Sequence, residues 1–455
     1  MLLDNKKHIH FIGIGGSGMF PIAQILHGEG YYITGSDNNE TDTLKLVRAM
    51  GIPVTMGQKA ENIQGADLII HTAAIMDDNP ELIAARASGV PVAERSVILG
   101  ELTAMYPNTL CVSGTHGKTT TSSMLTQILL DAGADPTCVI GGKLPSIGGN
   151  GRTGKSKNMV CEACEFVDTF LKLYPDVSII LNIDEDHLDY FKTLDNIIAS
   201  FRKFAEKTTK LLIVNGDDRN TLKVVEGLEH SIVTFGFSSI NDYYPANIEH
   251  LGGVDMQFDL MHGEENLGTI PVHVPGDHNI LNAIAACVAA LQTGVSPEDC
   301  ARGLDAFHGA GRRFEVLAKI GGITVADDYA HHPTEIEATL KAAKALPFKR
   351  VWAVHQPFTY SRTAMLLDDF ARVLQIADKV VLSEIMGSRE KNTYNIYASQ
   401  LAEKIPGCEW FPTFEEIADY VAENVEEGDL IITLGCGDVY KAAKLIIKNL
   451  EEKKS

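Results

Sequence analysis

Short apolar runs alternate with amphipathic stretches along the whole chain. The runs His8–Ile14, Leu68–Thr72, Thr109–Ser113, Ser178–Ile183, Leu211–Asn215, Arg350–His355, Lys379–Ser383 and Leu430–Leu434 are each of strand length. Nearly all are followed by turn residues and then by a helical pattern, the rhythm of parallel strands joined by crossover helices. The pattern restarts twice, near Tyr106-Pro107-Asn108 and near Gly309-Ala310-Gly311-Arg312-Arg313. Three α/β domains are therefore expected, at residues 1–107, 108–313 and 314–455. Two polar stretches read differently: the Gly/Lys/Ser-rich segment Gly141–Lys157 as a loop, and Asn241–Thr269 as a hairpin-like region inside the middle domain.

Two of the strand-to-helix junctions carry chemistry. After the strand His8-Ile9-His10-Phe11-Ile12 comes Gly13-Ile14-Gly15-Gly16-Ser17-Gly18, and Met19–His27 continues as a helix. Glycines tighten the turn and let backbone amides approach a diphosphate at the helix start, while an acid about 20 residues on accepts a ribose hydroxyl; here Asp37 stands after a second strand, Tyr31–Thr34. The motif calls for a diphosphate nucleotide without saying which. At the second junction, Leu110-Cys111-Val112 runs into Ser113-Gly114-Thr115-His116-Gly117-Lys118-Thr119-Thr120-Thr121, with a helix expected over Ser122–Ala132. Gly-Lys-Thr in this setting places amides and an ammonium on the β- and γ-phosphates and a hydroxyl on magnesium. The full Walker spacing asks for glycine where Val112 stands, so the loop is a contracted version. Magnesium needs further hard ligands, and candidates follow two neighbouring strands. One set is Glu162-Ala163-Cys164-Glu165, after the short strand Asn158–Cys161; the other is Asp184-Glu185-Asp186-His187-Leu188-Asp189.

Composition narrows the partners. Sixty acidic against 39 basic residues give a net charge of −21, which repels a nucleic-acid backbone in the absence of a basic stripe. No stretch approaches the roughly 20 apolar residues of a membrane span, and the start lacks an export core, so a cytoplasmic protein is expected. The eight cysteines are scattered through apolar stretches and read as reduced structural thiols. Cys161 and Cys164 form one C-x-x-C without the second pair or histidines that a zinc site wants.

The chain resembles the Mur ligases. The matching residues are His10–Met19, Gly114–Thr121, Asp186-His187-Leu188-Asp189 and Gly276-Asp277-His278-Asn279-Ile280-Leu281-Asn282-Ala283. Gly311–Glu315, Asp327–Glu335, Gln356-Pro357 with Ser361-Arg362-Thr363, and Gly435-Cys436-Gly437-Asp438 complete the set, in family order across nearly the whole chain. The resemblance implies an α/β fold in three domains: a Rossmann-like amino-terminal domain for UDP, a central P-loop-type ATPase domain with a mostly parallel sheet, and a Rossmann-like carboxyl-terminal domain that closes over ATP and admits the amino acid. It implies ATP-dependent ligation of L-alanine to the lactyl carboxylate of UDP-N-acetylmuramate through an acyl phosphate, a step of peptidoglycan precursor synthesis. Gly13, Gly15, Gly16, Ser17, Gly18, Met19 and Asp37 would bind the UDP-sugar. Gly114, Thr115, His116, Gly117, Lys118, Thr119 and Thr120 would bind ATP, with Asn279 and Asn282 on adenine, Arg313 on the phosphates and Asp328 on the ribose. Lys118, Glu162, His187 and Arg313 would be catalytic, with Thr119, Glu162 and His187 holding Mg2+. Tyr329, Phe358 and Arg362 would line the alanine pocket.

Bland readings accompany these: Asn279 as a helix cap, Arg313 as a surface ion pair, His331-His332-Pro333 as a helix-start turn. Three departures stand out. Cys164 replaces an acid found in many relatives, Phe358 stands where relatives often have histidine, and Thr359 where some have arginine. The alternatives are a family member that ligates a preformed peptide to UDP-N-acetylmuramate, and an NAD-dependent dehydrogenase motivated by the Gly13–Gly18 motif alone. Monomer and homodimer are both compatible with the sequence.

Overall fold

The computed structural model describes residues 1–388 and 390–454, and for Asp189 and Lys454 the backbone alone. The eight apolar runs all become strands, at His8–Ile12, Leu68–His71, Asn108–Ser113, Val177–Ile180, Leu211–Asn215, Val351–His355, Lys379–Leu382 and Leu430–Leu434. Each is buried along nearly its whole length. Parallel strands covered on both faces are continuously apolar in this way, whereas strands with one wet face alternate.

The chain forms two compact units. One comprises Met1–Ile183, Asp195–Tyr244 and Ile284–Gly303; the other comprises Asp184–Leu194, Pro245–Ala283 and the residues from Leu304 onward. Two sheets have strands in the first unit. Its amino-terminal sheet is fully parallel, ordered Val54–Met56, Tyr32–Asp37, His8–Ile12, Leu68–His71, Val92–Glu94, so the strand order reverses beside His8–Ile12, where the glycine-rich loop begins. Open α/β sheets bind ligands at such a reversal. In the other sheet Asn108–Ser113 lies between Val177–Ile180 and Asn158–Glu162, parallel to both. The carboxyl ends of those three strands therefore emerge side by side.

The segment Gly141–Lys157 is only in part the loop expected from its composition. Thr137–Leu144 and Gly149–Arg152 are antiparallel strands around a turn at Pro145–Ile147. Its glycines serve close packing: a Cβ on Gly151 would lie 2.4 Å from the Pro21 side chain in the helix Phe20–Gly28. The expectation of a hairpin-like region over Asn241–Thr269 is met by Asp255–His262 and Glu265–Val272, which pair antiparallel.

In the second unit, the parallel strands Ile323–Asp328, Leu430–Leu434, Val351–His355, Lys379–Leu382 and Glu409–Trp410 follow one another in a sheet edged by Glu315–Ile320. Successive residues point to opposite faces, and each face has its own core. Val351, Ala353, Leu430 and Ile432 pack with helix Pro333–Ala345 and helix Leu367–Leu374. Trp352, Val354 and Ile431 pack with helix Phe414–Asn424 and helix Tyr440–Lys454. All eight cysteines are free thiols. Cys161 sits opposite Cys111 in the neighbouring strand, both fully buried, as expected of structural thiols. No described helix is long and apolar enough to cross a membrane.

Candidate active site

The central loop turns at Gly117, whose φ of +85° is a left-handed conformation that glycine adopts without a Cβ penalty. The helix then opens at Lys118 and runs to Asp131, four residues earlier than the sequence pattern suggested, because the lysine itself is the first helical residue. Its preceding loop is clamped by Asn182, at the end of the neighbouring strand. The Asn182 backbone carbonyl accepts from the Thr115 amide at 3.0 Å, its side-chain oxygen accepts from the His116 amide at 2.8 Å, and its side-chain nitrogen donates to the His116 carbonyl at 3.1 Å. Asn182 was absent from the sequence expectations. The available signal was a polar residue ending an apolar strand next to the loop strand.

Lys118 points back into this turn. Its ammonium donates to the Gly114 carbonyl at 2.6 Å, to the Thr115 carbonyl at 3.0 Å and to Glu165, whose two oxygens lie 3.1 and 2.9 Å away. Burial works against the charge, but Glu165 and then the nearby Cys164 and Glu162 hold the lysine pKa above its ordinary value. Glu162 forms a second cluster of hard oxygens. It accepts from the Thr119 hydroxyl at 3.0 Å, the Ser122 hydroxyl at 3.3 Å and the Gly141 amide at 2.7 Å. A Cβ on Gly141 would stand 2.3 Å from the carboxylate, which would have to shift to admit it. A carboxylate beside a hydroxyl is the donor chemistry a magnesium ion takes, so the Thr119 and Glu162 pair fits that ion. His187, the third expected ligand, belongs to the second unit, where its ring lies 3.6 Å from the Asp186 carboxylate.

At the amino-terminal loop the backbone is held differently. The amides of Gly13 and Ile14 donate to the Ser36 carbonyl, and the Gly15 amide donates to Asp37 at 2.9 Å. One oxygen of Asp37, the acid expected to reach a ribose, also braces the loop, and the other accepts from the Asn39 amide at 3.0 Å. Gly15 has no room for a side chain, because a Cβ would lie 2.8 Å from Leu44 and 2.9 Å from Asp37. Gly18 faces Arg95, with 3.1 Å between an added Cβ and the guanidinium carbon. Arg95, the first residue of helix Arg95–Met105, was also missed in the sequence, where nothing ties it to a motif 77 positions earlier.

The second unit gathers the remaining expected residues. Arg362 donates to Asp186 at 2.7 Å. Burial opposes the Asp186 charge, yet Arg362, helped by the imidazoles of His187, His331 and His332, holds its carboxyl far below the usual carboxylate range. Arg312 and Arg313 both lie against the Tyr329 ring, at 4.9 and 5.1 Å, within cation–π range. Arg312 also donates to Asp327 at 2.8 Å and was not among the expected residues. Both oxygens of Asp328 accept from backbone amides at 2.7 Å, Ala330 on one and Phe314 on the other, while burial raises its pKa. Asn279 and Asn282 are buried one helical turn apart; Asn282 donates to Asn279 at 2.9 Å, which in turn donates to the Pro275 carbonyl. His332 takes the bland reading: it caps helix Pro333–Ala345 by accepting from the Thr334 amide. Phe358 pairs with Met386 in an isolated bridge, and Thr359, with φ of +65°, caps the helix that carries Arg362.

Comparison with known proteins matches these regions in order. A family model described as the Mur ligase family catalytic domain covers residues 8–107, the Mur ligase middle domain covers 112–290, and the Mur ligase glutamate ligase domain covers 312–437. The chain is 46% identical over 448 residues to the UDP-N-acetylmuramate–L-alanine ligase of Agathobacter rectalis, covering 97% of this chain and 98% of that one. It is 44% identical to the enzyme of the same name from Clostridium novyi, covering 98% of each. Among solved structures, the UDP-N-acetylmuramate-alanine ligase of Thermotoga maritima superposes with a TM-score of 0.84 at 27% identity, over 99% of this chain and 100% of that one. A murein peptide ligase from Psychrobacter arcticus gives 0.75 at 25% identity, over 98% of each. Three domain models in sequence and relatives matched from end to end place the chain in the Mur ligase family, to which it belongs.

Proposed function

We propose that this protein joins L-alanine to the lactyl carboxylate of UDP-N-acetylmuramate with consumption of ATP, and so acts in peptidoglycan precursor synthesis. The observation that carries the chemistry is the Lys118 ammonium held at a strand-to-helix turn beside the Thr119 and Glu162 oxygens. The near-full-length likeness to ligases of that name supplies the substrates.

A carboxylate and an amine do not condense in neutral water, because the carboxylate oxygen is a poor leaving group. Attack of the carboxylate on the γ-phosphate of ATP gives an acyl phosphate and ADP. The alanine amine, in its neutral form, then attacks the carbonyl carbon and phosphate departs. Both reactants of the first step are anions, so the protein's contribution is charge neutralisation and alignment. Lys118 supplies a fixed positive charge; Thr119 and Glu162, with His187, would hold magnesium, which when bound neutralises phosphate charge. Arg313, stacked on Tyr329, is a second cation for the phosphates. Arg362 is the cation suited to the amino-acid carboxylate, with Tyr329 and Phe358 lining that pocket. Asn279 and Asn282 serve adenine and Asp328 the ribose. The loop Gly13–Gly18 with Met19 and Asp37 serves the UDP-sugar.

The division of labour we infer assigns residues 1–107 to UDP, 108–313 to ATP and 314–455 to the amino acid and to closure over ATP. Family-model matches with breaks near 107 and 312 support it. Consumption of UDP-sugar and ATP places the reaction in the cytoplasm. Phosphate release across the amino acids and preformed cell-wall peptides, with UDP-N-acetylmuramate present and absent, tests the whole reading. Release that requires both the UDP-sugar and L-alanine is expected. Release with a preformed peptide and not with alanine would replace this function by the peptide-ligase one.

A further inference from the structure

The Lys118 ammonium has three N–H donors, and all three have acceptors: the Gly114 carbonyl, the Thr115 carbonyl and the Glu165 carboxylate. A phosphate oxygen that takes this lysine must therefore displace one of them. The two carbonyls are fixed by the loop, which Asn182 clamps on both sides of His116. The carboxylate is the movable partner. It ends a flexible side chain on an irregular segment, it is 2% exposed, and a phosphate brought beside it meets a like charge in a poorly solvated place.

The segment itself is strained at the adjoining step. Val167 and Asp168, two and three residues past Glu165, both lie in the left-handed region, at φ of +54° and +56°. For a β-branched residue that conformation is a genuine outlier, held only by its surroundings. Asp168 is tied there by the Ser200 hydroxyl. A rotation at Val167 that lets the backbone return to an ordinary region would carry Glu165 with it.

We propose that Glu165 is a positioning residue for Lys118: it holds the ammonium in the loop, competes directly with the nucleotide's terminal phosphates, and is released by a turn at the strained Val167–Asp168 step. The proposal rests on reading this loop as the ATP phosphate cradle. It assigns to a carboxylate outside the magnesium set a control over nucleotide affinity that acts only through phosphates.

The test is titration of the full-length protein with a non-hydrolysable ATP analogue and with AMP, each with magnesium. Glu165→Gln keeps the acceptor and removes the charge. It is expected to bind the ATP analogue at least about threefold more tightly, with AMP affinity unmoved and Glu165→Asp near wild type. Val167→Gly, which relaxes the left-handed step and so favours the docked carboxylate, is expected to weaken the analogue's binding and again leave AMP alone. The Glu165→Gln variant binding the analogue no more tightly than wild type, or tightening for AMP equally, overturns the proposal. Should that variant not fold, Val167→Gly decides, and an unchanged or tighter analogue affinity overturns it. A wild-type protein that binds neither nucleotide removes the proposed function as well, whereas binding by wild type with a flat Glu165→Gln response removes only the role of Glu165.

Discussion

The first unit contains two glycine-rich loops at strand-to-helix turns, and they obtain their positive charge in different ways. The loop Gly13–Gly18 carries no cation of its own; Arg95, from a helix 77 residues further along, lies against Gly18. The loop Gly114–Lys118 ends on its own cation, which is the first residue of its helix and is buried in an ion pair. A ligand that is only held needs a surface of fixed amides and one cation within reach. A phosphate that is transferred needs a charge whose position is set to within fractions of an ångström by the same turn that fixes the phosphates. We read the contrast as one between holding and reacting.

The sharpest way to break this contrast is Lys118→Ala. Turnover should fall by at least about 10²–10³, the usual cost of losing one preorganised charge-stabilising group, while UDP-sugar binding stays near wild type. The same change strands the buried Glu165 carboxylate, so stability should drop by about 3–5 kcal/mol. Adding Glu165→Gln should restore the stability and leave the activity lost, which thermal melts and phosphate release read separately. Near wild-type turnover in the purified single variant would remove Lys118 from the chemistry and with it the distinction between the loops.

Glu162→Ala comes next in size. Loss of the carboxylate that gathers the Thr119 hydroxyl and the Gly141 amide should raise the magnesium concentration needed for half-maximal rate by about tenfold, or about 1.4 kcal/mol, with a smaller change in the alanine requirement. The reverse order in the two titrations would take Glu162 out of the metal set. Arg95→Ala sharpens the other side of the comparison: the KM for the UDP-sugar should rise severalfold, about 1 kcal/mol for one half-buried charge-assisted contact, with kcat and the KM for ATP unmoved. A fall in kcat of the size seen at Lys118 would mean that the first loop, too, takes part in the reaction.

Much of both loops was legible beforehand because each is local. Gly13–Gly18 and Gly114–Lys118 are short runs whose backbone demands are met by their own residues, and apolar runs buried on both faces announce themselves by length. What the sequence hid is what arrives from elsewhere in the chain. Arg95, Asn182 and Gly141 act on loops and carboxylates 21 to 77 positions away, and of the three only Asn182, a polar residue ending an apolar strand, is marked by its own neighbourhood. Asp37 stands where its spacing put it, but spacing reports that an acid reaches the loop and not that it also receives the Gly15 amide. The stretch Gly141–Lys157 misled for the same reason: glycines that look like a loop's freedom are there so that Pro21 and Glu162 can approach the backbone.

The smallest expected effect is an absence of titration. Because Glu165, Cys164 and Glu162 together overcome burial and raise the Lys118 pKa above its usual 10.5, the ammonium stays charged throughout the range in which the enzyme can be assayed. The sign follows from linkage: a group whose pKa is raised on folding contributes stability in full below its unfolded value, and that contribution is lost only as pH climbs past it. Affinity for an ATP analogue should therefore show no lysine-dependent decline between pH 7 and about 10, in wild type. In Glu165→Gln the largest raising influence is gone while burial remains, so the same lysine should release its proton at a lower pH, and analogue binding should begin to fall within that window. The paired titration separates a charge set by the loop alone from one set by its carboxylate neighbour. Identical alkaline limbs in the two proteins would mean that the turn's own carbonyls, Gly114 and Thr115, suffice to keep the cation, and that the second loop is less dependent on distant residues than the first.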